Sequence, residues 1–375
     1  MKVREVETIQ DLEEDWNDVL VKNLMGDDVF LTWEWQSASW KHFGEGRKLL
    51  VLVVEEESEI IAIAPLMLSK YRLPGFGFLR EIEFLGLRHS DYNNFIISKK
   101  PRECLTHIVD YLEKNVGDWD WIDLKEVPEP PRGSNYSPTE FLNLSSGLKL
   151  RERICNLCPY ISLPNSFEHL MKTLGKNMRQ NLNKYLRRIK QSHKVELKRY
   201  DEAGFSVKEA MNLLIDLNEK RWASDGKVGS FKKNGNAFRN FHMDVSERFA
   251  DRGWLGLYFL MASNEPVAVQ YNFEYAQKMY YYLAGFDPRY SSYSVGNLVI
   301  MYLLEKCVQK GLREYDMMRG DEPYKMSWTQ TCRRNSEIRL IRKHARSKFY
   351  DWVTWSSLVN NLAADFRLSL KKDSM

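Results

Sequence analysis

Between Arg313 and Trp328 the stretch REYDMMRGDEPYKMSW closes a half-apolar, alternating run, read as a strand, in a knot of Asp316, Arg319, Asp321, Glu322, Tyr324 and Lys325. Carboxylates and phenols exchange protons and cations hold anions, so the knot reads either as a reacting group or as a solvated turn. A second stretch, GFDPRYSSYSVGNLVI, passes from a strand through a loop of small residues into a helix. Backbone N–H groups at such a start, with the helix dipole behind them, bind phosphate without needing a particular side chain. Ser291, Ser294, Val295, Gly296 and Asn297 are the residues a pyrophosphate would approach, and Ser294 reads equally as a plain N-cap. Neither a Walker lysine pattern nor a G-x-G-x-x-G is present, which disfavours ordinary nucleotide or dinucleotide binding.

Other patterns carry less chemistry. CNLC at Cys155 and Cys158 has no second ligand pair at zinc spacing, and Pro159 with an apolar run follows where a redox helix would start, so packing cysteines are favoured. The seven histidines are scattered and suggest neither a metal cluster nor a Ser-His-Asp arrangement. A basic helical run carries Lys172, Lys176, Arg179, Lys184, Arg187, Arg188, Lys190 and Lys194. It reads as a solvated face or as a surface for an anionic partner such as RNA, lipid headgroups or a phosphorylated substrate.

The elements that must position these groups fall into two halves. In the first, helices around Asp11–Lys22 and over VFLTWEWQSASWKHF precede KLLVLVVEEESEIIAIAPLMLSKY, two β-branched runs joined by an acidic turn, hence a hairpin. Strands over REIEFLGL, YNNFIIS and WDWIDLKEV surround a helix that opens at Pro101, and PEPPRGSNYSP reads as a linker or surface loop. In the second, a long helical region from Ser166 to His193 and two further helices lead to WLGLYFLMAS, EPVAVQYNFEYA and KMYYYLAGF. Short turns make these three an antiparallel meander. A helix ending at Gly311, the strand REYDMMR and the strand SEIRLIRKH complete an α/β (α+β) chain.

At 375 residues the length points to two domains. Apolar residues make up 43%, charged residues 28% and aromatics 13%, as in a folded protein with large cores. A net charge of +4 is too small for the whole chain to act as a nucleic-acid binder, so an anionic partner would meet a local patch. Five cysteines fit a reducing cytosol better than a disulfide framework. The charged N-terminus lacks a signal-peptide core, and no apolar run reaches the roughly 20 residues of a membrane span. A cytoplasmic protein is expected.

The order meander, small-residue loop, helix ending in Gly, strand and Tyr-bearing segment resembles the coenzyme A-binding core of the GNAT acyltransferases. The stretch FDPRYSSYSVGNLVIMYLLEKCVQKGLREYDMMRGDEPYKMSW, with LTWEWQSASW, IAIAPL and LGLRHSDYNNFII, is similar to the CelD-type acetyltransferases of bacterial polysaccharide and cellulose biosynthesis. YSSYSVGN keeps only the final small residues of the usual GNAT phosphate loop. The resemblance implies tandem GNAT-like domains, each a mixed, mainly antiparallel sheet flanked by helices, over residues 1–150 and 151–375, with a basic helical arm at about 166–195. It implies acetyl-CoA as donor, no metal, and a sugar or other small-molecule acceptor. Asp316, Asp321 and Glu322 then become base or substrate-orienting candidates, and Tyr324 a candidate acid. Arg319 and Lys325 would hold an anionic group or fix the carboxylates, with Glu274 and Tyr282 next in line. The plan is also similar to FemAB-type aminoacyltransferases, which draw on aminoacyl-tRNA, so the arm's partner stays open between tRNA and a phosphorylated substrate. A non-catalytic binding component of a polysaccharide machine is the third reading.

Overall fold

The computed structural model describes residues 1–351 apart from Met25, Asp27, 74–76, 87–88, Asp118, 131–146, 345–346 and 349–350. Most of the expected linker, from residue 131 on, therefore lies outside the described residues. The chain separates into two compact units, Met1–Cys155 with the segment returning at Arg334, and Asn156–Arg333.

In the first unit come β1 (Lys2–Glu5), α1 (Trp16–Val21), α2 (Trp33–Phe43), β2 (Lys48–Glu56), β3 (Glu59–Leu73), β4 (Gly77–Phe84), β5 (Ile96–Ile97), α3 (Pro101–Lys114) and β6 (Trp121–Pro128). The expected hairpin forms: β2 and β3 are antiparallel, joined at Glu57 and Ser58, whose φ angles of 51° and 69° give the left-handed two-residue turn that matches strand twist. β4 continues the meander, α3 crosses over, and β6 returns parallel to β4. Alternation along β6 sends Ile122 and Leu124 into a core with Leu66, Ile82, Cys104, Leu105 and Ile108, where α3 packs. The expected first helix is shorter than its pattern: a 3₁₀ turn, Ile9–Leu12, precedes α1.

β7 (Leu148–Ser162) leads into the second unit, which holds α4 (Phe167–Thr173), α5 (Lys176–Ser192), β8 (Val195–Arg199), α6 (Val207–Ala223), α7 (Ser230–Asp251), β9 (Leu255–Ala262), β10 (Glu265–Tyr275), β11 (Lys278–Phe286), α8 (Val295–Gln309), β12 (Glu314–Asp316) and α9 (Pro323–Trp328). β13 (Cys332–Arg342) pairs antiparallel with β6, so the chain rejoins the first unit. The division thus differs from the expected one: it falls after Cys155, and the later strand is recruited by its partner β6.

Within the second unit the strands run β8, β9, β10, β11, β12, β7. Two-residue left-handed turns at Ser263–Asn264 and Ala276–Gln277 build the β9–β10–β11 meander. Each unit therefore repeats one plan, a meander, a helix and a strand parallel to the last of the meander. The long helical region breaks at Leu174–Gly175 into α4 and α5, and it does not project as an arm. Leu170, Leu174, Leu182 and Ile189, at helical spacing, are buried in a core shared with α8, Tyr258, Leu260 and Tyr315.

Candidate active site

Parallel pairing between β11 and β12 is short. It joins Lys278 to Glu314, Met279 to Tyr315 and Tyr280 to Asp316, and then stops. From Tyr281 to Phe286 the β12 side of β11 has no strand partner among the described residues. The bulge sits at the same place: Tyr271 pairs with Leu283 and Asn272 with Tyr281, leaving Tyr282 as the extra residue. The bulge turns Tyr282 towards α7, where it packs 5.1 Å from His242 and 5.3 Å from Phe273. Tyr281 keeps the α8 side, in the core with Tyr315.

A chain of neutral polar groups begins there. Tyr315 donates its hydroxyl to Gln270 Oε1 at 2.6 Å, and Gln270 is 1% exposed. The Tyr281 phenol neighbours this pair and is influenced by both Gln270 and Tyr324. Burial pushes the Tyr281 phenol up, while Tyr324 and Gln270 pull it back. Tyr324 is raised further, by burial first and then by Tyr281. The residue as a whole exposes 40% of its surface. Burial also raises Tyr315 well above the ordinary range. All three phenols are protonated at neutral pH.

The strand-to-helix junction follows β11. A 3₁₀ turn, Pro288–Tyr293, is opened by Asp287, which accepts from the Arg289 N–H. Ser294 is the N-cap of α8 in the left-handed region, φ 51°, and its hydroxyl accepts from Asn297 Nδ2 at 3.0 Å and caps no backbone N–H. A Cβ added at Gly296 would meet nothing within 4 Å. The helix start is therefore open, with no acidic residue in its first turn. Asn297 Oδ1 accepts from Trp328 Nε1 at 3.1 Å, which ties this start to α9, the helix that carries Tyr324.

The charged knot divides. Asp316, 1% exposed, accepts from Arg333 at 2.8 Å and from the Met318 N–H at 2.8 Å, and Arg333 also pairs with Glu314. Asp316 is a clasp holding the end of β12 and does not face the opening as a base. Lys325, 6% exposed, bonds the Arg319 carbonyl at 2.7 Å and Glu322 at 2.9 Å, closing the turn around Gly320. Asp321 and Glu322 stay exposed on the segment that precedes Tyr324. Glu274 pairs with Lys310, apart from the hydroxyl chain, and Tyr282 is on the opposite face of the sheet. The sequence singles out Tyr324 and the helix start; Gln270, Tyr281 and Tyr315, which the fold brings beside them, it does not. Their one signal was a glutamine, with Asn272, inside the mostly apolar run VAVQYNF.

Cys155 and Cys158 occupy alternate faces of one strand and are free thiols; burial pushes Cys155 to about 11 and both Cys104 and Cys307 to about 12. Among the described residues no group of His, Cys, Asp and Glu is placed to hold a metal, and no helix is long and apolar enough to cross a membrane.

Residues 176–326 match a family model described as an acetyltransferase (GNAT) domain. No curated protein matches the chain. Among solved structures it is similar to one titled FemX, at 11% identity and TM-score 0.63, over 94% of this chain and 100% of that one. A conserved protein of unknown function from Bacteroides thetaiotaomicron is similar at 10% identity and TM-score 0.54, over 91% and 100%. So is the C-terminal domain of a putative lysylphosphatidylglycerol synthetase from Agrobacterium fabrum, at 10% and 0.50, over 91% and 95%. At such identities the likeness is one of fold. The fold is tandem and GNAT-like, with the acetyltransferase-type domain in the second unit. The matched segment starts at Lys176, so the basic helix α5 is inside that domain.

Proposed function

From the premise of a GNAT-type domain at 176–326, we propose that the chain is an acyltransferase. It moves an acyl group from a coenzyme A thioester, acetyl-CoA in the first instance, to an amino or hydroxyl group of a sugar or nucleotide-sugar in bacterial polysaccharide or cell-envelope biosynthesis. One arrangement carries the reading: β11 loses its partner at Tyr281, where the hydroxyl chain begins, and leads straight into a helix start with open space over Gly296. The N–H groups of Val295 and Gly296 suit a pyrophosphate, and the unpaired edge of β11 suits an amide-bearing arm.

Bound there, the donor supplies the thioester carbon. The acceptor nitrogen or oxygen bonds to that carbon while the C–S bond breaks; the acceptor loses one proton and the departing thiolate gains one. Tyr324 and Tyr281 hold protons for the thiolate, and Gln270, fixed by Tyr315, orients Tyr281. In this reading the exposed carboxylates of Asp321 and Glu322 orient the acceptor or take its proton. The free thiols suit a reducing cytoplasm.

A thermal-shift screen with acetyl-CoA, longer acyl-CoAs and aminoacyl-tRNA, followed by thiol release on adding amino- and hydroxy-sugars, tests the reading. Stabilisation by acetyl-CoA and thiol release are expected. A shift with aminoacyl-tRNA alone would assign tRNA-dependent transfer, and binding without turnover a scaffold role. Replacing Gly296 by Val should weaken coenzyme A binding by about 1–3 kcal/mol while leaving the fold intact, because a Cβ there meets no protein atom within 4 Å.

A further inference from the structure

The helix α5 contains no Asp or Glu, and its apolar positions, Met178, Leu182, Tyr185, Leu186 and Ile189, form one face against the core. At 100° per residue, Lys176, Gln180, Asn183, Lys184, Arg187 and Gln191 occupy the opposite face. Ion pairs bracket the helix, Lys172 with Glu168 before it and Lys194 with Glu196 after it. Among the described residues, no carboxylate pairs with Lys184, Arg187 or Arg188. Charge left unpaired along a whole helix face is a standing attraction for an anion.

The edge of this strip reaches the junction before α8. Arg188 donates to the Ser292 carbonyl at 3.5 Å and stands 5.4 Å over the Tyr293 ring. His193, just past the helix end, packs 5.5 Å from Tyr290 and 6.1 Å from Tyr293. Half-buried aromatic rings beside unpaired cations, one residue before an open helix start, offer a base a stacking surface and phosphates a charged one.

Resting on the coenzyme A reading above, we propose that α5 is the subsite for the phosphorylated nucleoside end of the donor. Lys184, Arg187 and Arg188 hold the 3′-phosphate, and the Tyr290–Tyr293 turn receives the adenine. Lys184 and Arg188 are about 6 Å apart along the helix axis, one turn, so all three cations reach one phosphomonoester. A membrane surface would require apolar side chains on the outer face of α5, and that face has none.

Binding of coenzyme A and of dephospho-coenzyme A, measured at low and at physiological salt, tests the subsite. Exposed charge pairs are weak singly and screened, so the wild type should prefer coenzyme A roughly fivefold at low salt and less at high salt. In Lys184→Gln/Arg187→Gln the preference should fall to about one with dephospho-coenzyme A affinity unchanged; this variant leaves the Arg188 contact to the loop in place. Arg188→Gln should act in the same direction. No preference in the wild type, or a preference that survives in the double variant, overturns the subsite while leaving the coenzyme A reading standing. Failure of both ligands to bind overturns the reading itself. A short RNA duplex whose binding is lost in the double variant while the preference persists would give the strip to a polynucleotide, again against the proposal.

Discussion

The starts of α3 and α8 occupy the same place in the two units, after the last strand of a meander and before a parallel strand, and both N-caps are left-handed, Lys100 at φ 49° and Ser294 at φ 51°. They differ in what the next residues offer. α3 begins with Pro101, which has no N–H, carries Glu103 in its first turn, and is flanked by Lys99 and Lys100 already paired with Glu59 and Glu56. α8 begins with Val295 and Gly296, with no acid in its first turn and open space above. The same contrast holds on the sheets. In the first unit Asp123 pairs with Arg339 at 2.9 Å and Lys125 at 2.7 Å, and Arg153 bonds Glu337 at 2.7 Å. In the second unit the buried charges Asp316 and Lys325 are likewise spent in ion pairs, but the buried groups beside the unpaired edge of β11, Tyr315 and Gln270, are neutral. One plan thus serves twice, once with its polarity spent internally and once with it left available at an opening. The proposed site is thus marked by unpaired backbone beside protonated groups and not by density of charge.

The largest expected effect breaks the second unit's half of that comparison. Tyr281→Phe and Tyr324→Phe remove hydroxyls without changing shape, so turnover should fall about a hundredfold to ten-thousandfold in at least one of them. Donor affinity should stay within about twofold, well below the 1.4 kcal/mol of a tenfold change. Full activity in both would leave the hydroxyl chain a structural network. Asp316→Asn should show the reverse pattern, lost stability with catalysis retained in the folded fraction, because it leaves Arg333 without its buried partner.

The next effect is confined to the first unit. Asp123→Asn takes one of two carboxylates from buried Arg339, leaving Glu337, and should cost up to about 3 kcal/mol of stability, read as a lowered Tm. Burial works against the Asp123 charge, but Lys125 and Arg339 outweigh it and hold the carboxyl well below its usual range. A depressed carboxylate contributes stability that is present above the unfolded pKa of about 3.9 and is lost as pH falls through the folded value. The wild type should therefore lose stability on acidification below about pH 4, with a slope the Asn variant lacks. Donor binding and turnover should be unchanged in folded protein, and a change in either would show that the first unit's ion pairs also serve the reaction.

A smaller effect transplants one helix start onto the other. Val295→Pro copies Pro101 and removes one N–H, and the left-handed N-cap before Pro101 shows that the geometry is tolerated in this chain. Losing a hydrogen bond to a charged group should weaken the donor by about 1.5–3 kcal/mol. Equal affinity would mean that the phosphates do not use this N–H.

How much of this was legible in the residues depends on range. Hairpins were legible because EEESE, NEP and AQK leave only two-residue turns between β-branched or aromatic runs, and the phosphate-type junction because small residues stand between a strand and an apolar helix. The break of the basic region was available too, since Gly175 stands inside it although the apolar spacing runs on. Asp316 was not legible as a clasp, because its partner Arg333 is on a later segment and only the folded turn brings them together. Nor was the hydroxyl chain, because Gln270, Tyr281 and Tyr315 come from three strands, and their contact depends on pairing register and on a bulge that no local pattern announces.

The smallest effect tests whether donor site and hydroxyl chain are one device. Trp328 Nε1 donates to Asn297 Oδ1, joining the first turn of α8 to the helix that carries Tyr324, and the Trp328 ring is buried in the same core as α8. Trp328→Phe keeps an aromatic in that core and removes the donor, leaving Asn297 Oδ1 in want of a partner, a loss of about 0.5–1.5 kcal/mol. If the bond only stabilises, Tm should fall slightly and both kinetic constants should hold. If it aligns the two sites, donor KM should rise and kcat should fall together, each by roughly two- to fivefold. Asn297→Asp sharpens the outcome: the carboxylate can still accept from Trp328 but places a negative charge at the helix start, so donor KM should rise while kcat at saturation is kept. A Trp328→Phe variant indistinguishable from wild type in KM, kcat and Tm would separate the helix start from the chain and leave each to be tested alone.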